Sequence, residues 1–455
     1  MEQSNSLDRK ITVGFLLMFA LPTIISLTSM GIFGVIDGIF AARYIDAYAL
    51  SAVGLVWPFL IFGLALGFMF GVGGNVLVAK EIGEGHVVWA RKDFSLVAIV
   101  SFLVSVALAV VGFIFPDIIL DILGVNAEVH HLALEYLIPI LVFLPFMGIG
   151  VVFQQFLITE GKAHIGMASA IAGGLLGVYL NWLFIYRMGL GLHGAALSTG
   201  IAYTVPAVVG FAFFAFNRKG TLYFVRPKLK IFVLLKSAKN GLSEMVTMLS
   251  SSITITVMNN VLMDIDGPMA VASAGIIGAG IGIAANVYIG FSSGISPIIS
   301  YNYGKGDTKN LKKILQTSLC IVTTIGVVMW ALAFSFTDMF IAIYDIDPMI
   351  YIGTFLVPLP VYDMAFTGLR MAAFGFVFMA LNSFSSIFFT SLNDGVKSSI
   401  IAACNGFIFI IVLILLFSSW WGVTGVWVAL PMADVLTVGV SAFLLVRYRK
   451  VYNYA

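Results

Sequence analysis

Long apolar runs, separated by short clusters of charge, glycine and proline, make up almost all of this chain. A helix needs about 20 apolar residues to cross the hydrocarbon core of a bilayer. Runs of that kind fall near 12–42, 49–79, 94–115, 132–158, 165–186, 192–216, 240–263, 269–300, 314–336, 370–392, 398–419 and 423–446, and they predict twelve spans. The first, second and eighth are longer than a perpendicular crossing and must tilt or bend. Pro22 lies inside the first run. Proline removes an i→i−4 hydrogen bond, so a bend is expected there.

The charges between the runs sort by sign. With the N-terminus inside, 21 of the 24 Lys and Arg fall on the inner side, and only Arg43, Arg187 and Arg370 fall outside. Outer segments are acidic instead, with Asp117, Asp121, Glu128, Asp264, Asp266, Asp338, Asp345 and Asp347. Inner loops of membrane proteins carry the excess of Lys and Arg. One missed or invented span would scramble this sorting, so it supports the count of twelve. Both termini are then expected in the cytoplasm, with the chain multi-pass in the cell's inner (plasma) membrane.

Composition agrees. Of 455 residues, 60% are hydrophobic and 10% charged, against about 25% charged in soluble domains. The net charge of +2 says less than its distribution. Cys320 and Cys404 both sit in apolar runs as small core residues, which gives no support to a disulfide framework or a cysteine metal site. The five His fall at loops or run ends with no metal-site spacing, and no Walker A lysine motif is present. The first run is too long for a signal-peptide core and lacks a cleavage site of small residues. No cofactor and no nucleic-acid partner are expected; the lipid bilayer surrounds the chain, which is expected to be a monomer.

The chain repeats itself. AYALSAVGLV from Ala47 reads against GPMAVASAGII from Gly267, with Gly54 on Gly275, and Gly83 and Gly85 fall on Gly304 and Gly306 at the same offset of 221. GLHGAALS from Gly191 reads against GVTGVWVA from Gly422, with Gly194 on Gly425 at offset 231. Each half then holds six helices that start on the same side. A parallel repeat of this kind suits a substrate path between two lobes. The predicted fold is all-α and polytopic, with an N-lobe at 1–222, a C-lobe at 223–455 and a basic cytoplasmic linker at about 217–239.

Asp37 breaks the repeat. It is the first charge after Lys10, and at offset 221 it falls on Met258. An acid at the centre of a bilayer costs about 2.5–3.5 kcal/mol on insertion scales, and such residues mark ion pathways or proton relays by default. Its alternative is structural, hydrogen-bonded to a neighbouring helix. Burial disfavours the charged form of a carboxylate, which is what lets an intramembrane acid carry a proton.

Pro22, Asp37 fifteen residues later, the stretch VIDGIFAARYIDAYALSAVGLVWP, the EGKAH and NDGVK turns and GLHGAALST together resemble the multidrug and toxic compound extrusion (MATE) family over about residues 10–446. Within it the chain looks similar to the prokaryotic DinF-like and MepA-like branches. The resemblance implies a V-shaped pair of six-helix bundles that exports drugs in exchange for H⁺ or Na⁺. It also implies an N-lobe cation site built from a first-helix acid, an Asn and an Asp four apart on helix five, and a Thr on helix six. Asp37 matches the first and Thr199 the last. On helix five, GVYLNWLFI puts Gly177 at the Asn position and Asn181 at the Asp position. One carboxylate with two neutral groups makes a poor Na⁺ cage, since hard cations want several oxygens and negative charge, so H⁺ is favoured. The NorM-like branch places acids inside helices seven and ten. Here helix ten has none, and Glu244 lies near the inner end of helix seven beside Lys239.

The expected substrates are amphipathic, cationic organic molecules. Candidate cavity residues are Met30, Phe33, Phe153, Gln154, Tyr179, Asn382 and Asp434. Gln155 follows Gln154 about 100° around the helix, so at most one of the two should face the cavity. Asp434, in LPMADVLTV, has a second reading, paired with Thr437 or Asn405. The runner-up function is a flippase for a lipid-linked oligosaccharide or peptidoglycan precursor. It would need basic residues in the central cavity, and Lys and Arg sort away from the membrane centre. An intramembrane enzyme would need two catalytic groups at one depth, and no motif joins Asp37 to Asp434.

Overall fold

The computed structural model describes residues 7, 9–44, 47–125, 129–342, 349–352, 355–358 and 360–454, with the side chains at 35, 37–39, 41–44, 47–51, 268, 349–352, 355–358 and 360 outside the description. Asp37 and Arg43 are therefore placed on a helix, while their side chains lie outside the described residues. Glu128, Asp345 and Asp347 lie outside them altogether.

The first half comprises α1 (Val13–Tyr44), α2 (Ala47–Gly83), α3 (Val87–Ile114), the short α4 (Pro116–Ile122), α5 (His130–Thr159), α6 (Ala163–Asn181) continued by a π-helical turn (Trp182–Arg187), and α7 (Gly191–Phe216). The second comprises α8 (Ile231–Asp266), α9 (Pro268–Lys305), α10 (Thr308–Ser335), the short α11 (Thr337–Ala342), α12 (Pro360–Ala373), α13 (Phe376–Ser391), α14 (Gly395–Ala403), a second π turn (Cys404–Ile408) and α15 (Phe409–Tyr448). Among the described residues ten helices are long and apolar enough to cross a membrane, or eleven when α12 and α13 count as one bent span.

One small element is added to the all-α fold, and two expected boundaries move. A small antiparallel ribbon, β1 (Met349–Ile352) with β2 (Phe355–Pro358), interrupts the otherwise helical chain. The tenth span begins ten residues earlier than the apolar run, at Pro360, and bends by 51° between Ala373 and Phe376. Its early part carries Asp363 and Arg370, whose charge masks the helix from a hydropathy reading. Helix α8 begins at Ile231, so the linker is 217–230 rather than 217–239. Lys236 and Lys239 belong to the first turns of a helix.

The stretch Gly395–Tyr448 has 54 residues, about 80 Å if straight. Gly422 breaks it, with φ 58° and ψ −136°. A Cβ on Gly425 would stand 2.0 Å from the carbonyl of Phe417, whereas eight residues span about 12 Å along a straight helix. The chain therefore turns back at Gly422, where the two last apolar runs were divided.

Glycine joins the halves. A Cβ on Gly73 would stand 2.0 Å from the Ser237 carbonyl, one on Gly241 1.9 Å from that of Met69, one on Gly83 2.1 Å from that of Tyr301, and one on Gly304 2.2 Å from that of Lys80. Without side chains at these positions α2 lies backbone to backbone on α8 and α9. Gly290 and Gly294 of α9 meet Ile24 and Ala20 of α1 in the same way, one on each side of Pro22. Small residues let membrane helices approach this closely, where dispersion rather than the hydrophobic effect must hold them. The seam lies toward the helix ends that carry Lys80, Lys239 and Lys305.

The basic linker is a docked strap rather than a plain loop. Glu160 accepts hydrogen bonds from the N–H of Thr221 (2.7 Å) and Leu222 (2.9 Å). Burial pushes its carboxyl up, against the pull of those two donors. Arg91 donates to the Thr221 carbonyl and the Tyr223 hydroxyl, both at 2.7 Å. Lys230 reaches Asp93 at 3.4 Å and lies 4.0 Å over the Trp89 ring. Beneath it, Phe94, Phe153, Phe156, Phe214 and Phe224 pack ring against ring.

Gly304→Val should cost about 1–3 kcal/mol by overpacking the seam and lower the melting temperature in detergent, whereas Gly278→Ala, with nothing within 4 Å, should leave it unchanged or slightly raised. Asp394 supplies a second check. Burial alone would raise its pKa, but hydrogen bonds from Lys397 and Tyr452 and the Lys397 charge outweigh it and hold the carboxyl below its ordinary value. A depressed acid stabilises above its unfolded pKa, about 3.9, and that contribution is lost as pH falls. Asp394→Asn should therefore lower the melting temperature at pH about 7, and the gap to wild type should close as pH approaches about 3.

Candidate functional site

A cavity of about 350 Å³ opens within the first half between α1, α2, α5, α6 and α7. Met30, Gly31, Phe33 and Gly34 of α1 form one wall, Val53 and Trp57 of α2 and Tyr136 of α5 a second, Ala170, Gly174, Gly177 and Asn181 of α6 a third, and Ala195, Thr199, Ala202, Tyr203 and Pro206 of α7 the fourth. The cavity exists because the walls are notched by small residues. The Phe33 ring lies on α6 where a Cβ at Gly174 would stand 1.9 Å from it. α6 and α7 close up through Gly173, whose Cβ would meet the Ala202 carbonyl at 2.5 Å.

Asn181 is the last residue of α6 before the π turn and is 2% exposed. A π turn shifts the register of a helix by one residue and recurs at functional sites. The Ser198 hydroxyl bonds to the Asn181 Oδ1 and also lies 2.9 Å from the Ala195 carbonyl. A hydroxyl has one proton; turning the Asn181 amide so that Nδ2 donates to Ser198 lets both contacts stand. Thr199 is 6% exposed on the next helix position. No charged side chain appears in the described lining. Position 37 follows Phe33 by four residues and Gly34 by three in the same helix, and that spacing keeps positions on one face.

Of the residues expected from the sequence, Met30, Phe33, Asn181 and Thr199 therefore meet at one cavity, as does Gly177. Others stand elsewhere. Phe153 belongs to the aromatic cluster and to a separate apolar groove with Phe102, Phe146, Phe211 and Phe224. Gln154 packs toward Gly166, Gln155 is buried, and Tyr179 is 54% exposed beside Trp182. Asn382 and Asp434 are buried within the second half, where Asn382 Nδ2 donates to the Asp434 main-chain carbonyl at 2.9 Å and the Ser441 hydroxyl donates to Asn382 Oδ1 at 2.9 Å. Glu244 is partly buried 13 residues into α8, about 20 Å from its start, rather than near its inner end as expected. Pro22 lies within α1, which is helical from Val13 to Tyr44. Trp57, Tyr136, Ser198 and Tyr203 were missed. Tyr203 had a signal, one helical turn after Thr199; Trp57 and Tyr136 had none, since only packing brings their helices here. Among the described residues no group of three His, Cys, Asp or Glu could hold a metal ion.

This fold, with its cavity walled by the first, fifth and sixth long helices, is that of a known class of multi-pass membrane proteins. The MatE family profile matches residues 22–183 and 243–419, well over half of the chain. The chain belongs to the MatE family. The multidrug export protein MepA of Staphylococcus saprophyticus is 24% identical to it over 453 residues, covering 98% of this chain and 96% of MepA. MepA of Staphylococcus aureus strain MSSA476 is 24% identical over 456 residues, with the same coverage. Among solved structures, the outward-facing conformation of a multidrug resistance MATE family transporter of the MOP superfamily superposes with a TM-score of 0.91 at 20% identity, over 100% of both chains. MATE in complex with MaD3S gives 0.90 at 19% identity, again over 100% of both.

Proposed function

We propose that this chain is a secondary active exporter of amphipathic, cationic organic compounds, and that it exchanges them for H⁺ bound at Asp37. The observation that carries the reading is a convergence. Asn181 and Thr199, on different helices, line one cavity with the face of α1 that also holds position 37. Membership of the MatE family and likeness to proteins named for multidrug export support the exporter part. The described lining offers aromatic and apolar surface with Asn, Thr and Tyr and no basic side chain. That suits an organic cation and gives a lipid diphosphate nothing to hold it, which disfavours a flippase.

The chain reversal at Gly422 and the bent tenth span support twelve crossings, with lobes at 1–222 and 223–455 and both termini cytoplasmic by the positive-inside rule. H⁺ is preferred to Na⁺ because one carboxylate with Asn181 and Thr199 offers few hard oxygens. Neutralised by a proton, Asp37 loses its desolvation cost, and α1 is free to shift about Pro22, where one backbone hydrogen bond is missing. Proton and drug must favour different states, because a ligand shifts an equilibrium only through differential affinity. Rocking of two lobes about the glycine seam would then alternate access.

The test is efflux of a fluorescent organic cation from proteoliposomes with pH and Na⁺ gradients imposed separately. Transport driven by the pH gradient and abolished in Asp37→Asn is expected; transport driven by Na⁺ alone, or unaffected by the substitution, would overturn the coupling. Gly34→Leu tests the cavity. Gly34 lines it with nothing within 4 Å of a Cβ, so the side chain should fill the space without unfolding the protein. Binding of the same dye should weaken at least about tenfold, or about 1.4 kcal/mol, at an unchanged melting temperature.

A further inference from the structure

Asp434 lies 12 residues after the turn at Gly422 and 14 before the end of α15, so about 20 Å of helix separates it from either end. It is 7% exposed, and among the described residues no ion pair to it is found. Several elements pack around this stretch of α15. From α13 comes Asn382, which donates to its main-chain carbonyl, and from the second π turn come Asn405 and the Cys404 thiol; α8 carries Glu244, α12 Arg370 and α14 Lys397, and none of the three makes an ion pair with it. A carboxylate at that depth without a counter-charge costs several kcal/mol, and a neutral acid far less.

Two further features bear on the carboxyl. The first is the break between α12 and α13. A Cβ on Gly375 would stand 2.8 Å from Asp434 Oδ2, so the carboxyl presses on the residue that begins α13. The first N–H groups of a helix lack partners within it and carry positive partial charge. The second is Tyr288 of α9. It is fully buried, its hydroxyl has no hydrogen-bond partner, and the Asp434 charge acts on it. An orphaned buried hydroxyl costs about 1–3 kcal/mol, and a second arrangement of Asp434 would give it a partner. The internal repeat adds an independent pointer. With Gly194 on Gly425, Asp434 falls on Tyr203, a wall residue of the cavity in the first half.

We propose that Asp434, Tyr288 and Asn382 form a proton-binding site in the second half, and that loading it resets the bend at Gly375. Ionised, the carboxylate rests against the start of α13 and holds the break. Taking a proton from water, it becomes a neutral acid that can donate to the Tyr288 oxygen, and α13 loses the anion at its N-terminus. The site is separate from Asp37 and does not require the exporter reading to be correct.

Infrared difference spectra of the reconstituted protein, acid minus alkaline, test this without any transport assay. In the Asp37→Asn background, where Asp37 cannot contribute, a protonated-carboxyl C=O component is expected that disappears when Asp434→Asn is added; a band unchanged by Asp434→Asn overturns the site. If Asp434→Asn does not fold, Tyr288→Phe keeps the acid and should shift the frequency and pH midpoint of its band, and an unchanged band is equally fatal. Spin labels at the exposed positions Thr367 and Val396 report the bend. Their separation should change with pH in wild type and not in Asp434→Asn. The same change in both would sever the site from the hinge.

Discussion

The structure depends on backbone meeting backbone where the two halves join. In a bilayer, lipid tails are as apolar as leucine, so burial gives membrane helices little reason to associate. Close dispersion contact must supply it, and that contact falls steeply with distance. Gly73, Gly83, Gly241 and Gly304 remove the side chains that would hold α2 away from α8 and α9. Gly290 and Gly294 do the same for α1. From Gly73 to Gly83 the α2 part of the seam runs only about 15 Å, half the thickness of the hydrocarbon core. A joint of that length at one end can serve as a pivot, and a seam over the full thickness could not.

The second constraint is polar satisfaction. Many buried hydroxyls in the helices bond back to a carbonyl three or four residues earlier, as in Ser292 to Tyr288 and Thr437 to Ala433. The π turn at Cys404–Ile408 leaves a carbonyl free, and Thr254 of α8 donates to it at Gly406, 2.7 Å away. Against this background the residues that depart from full satisfaction stand out, because an unpaired polar group in a dry interior costs more than most contacts return. Tyr288 is one. The first half places its neutral polar groups around an open cavity; the second packs its acid into a dry break between helices.

The linker shows how a reading of charge alone stops short. Seven basic residues between Asn217 and Lys239 read as an inner loop. Arg91, Glu160 and Asp93 instead fasten the part up to Lys230 onto α3 and α5, and the rest opens α8. Charge predicts the side of the membrane. It does not report that a carboxylate sixty residues away will accept two of the strap's backbone N–H groups.

By itself the sequence determined the membrane class, most helix positions, the repeat and the family, although α8 and the tenth span begin nine and ten residues before their apolar runs. Each of these is a local property, since hydropathy, charge sorting and motif spacing are written along the chain. It also marked Gly422 as the join between the last two apolar runs. Only the tertiary structure decided which polar residues share a space. Phe153, Gln154 and Tyr179 were named for depth and polarity, yet a helix turns 100° per residue, and which face meets a cavity depends on neighbours that are distant in sequence. Tyr136 and Trp57 line the cavity for that same reason, and Asp434 lies against Gly375 because α12 and α13 bend there, a bend that no run of apolar residues records.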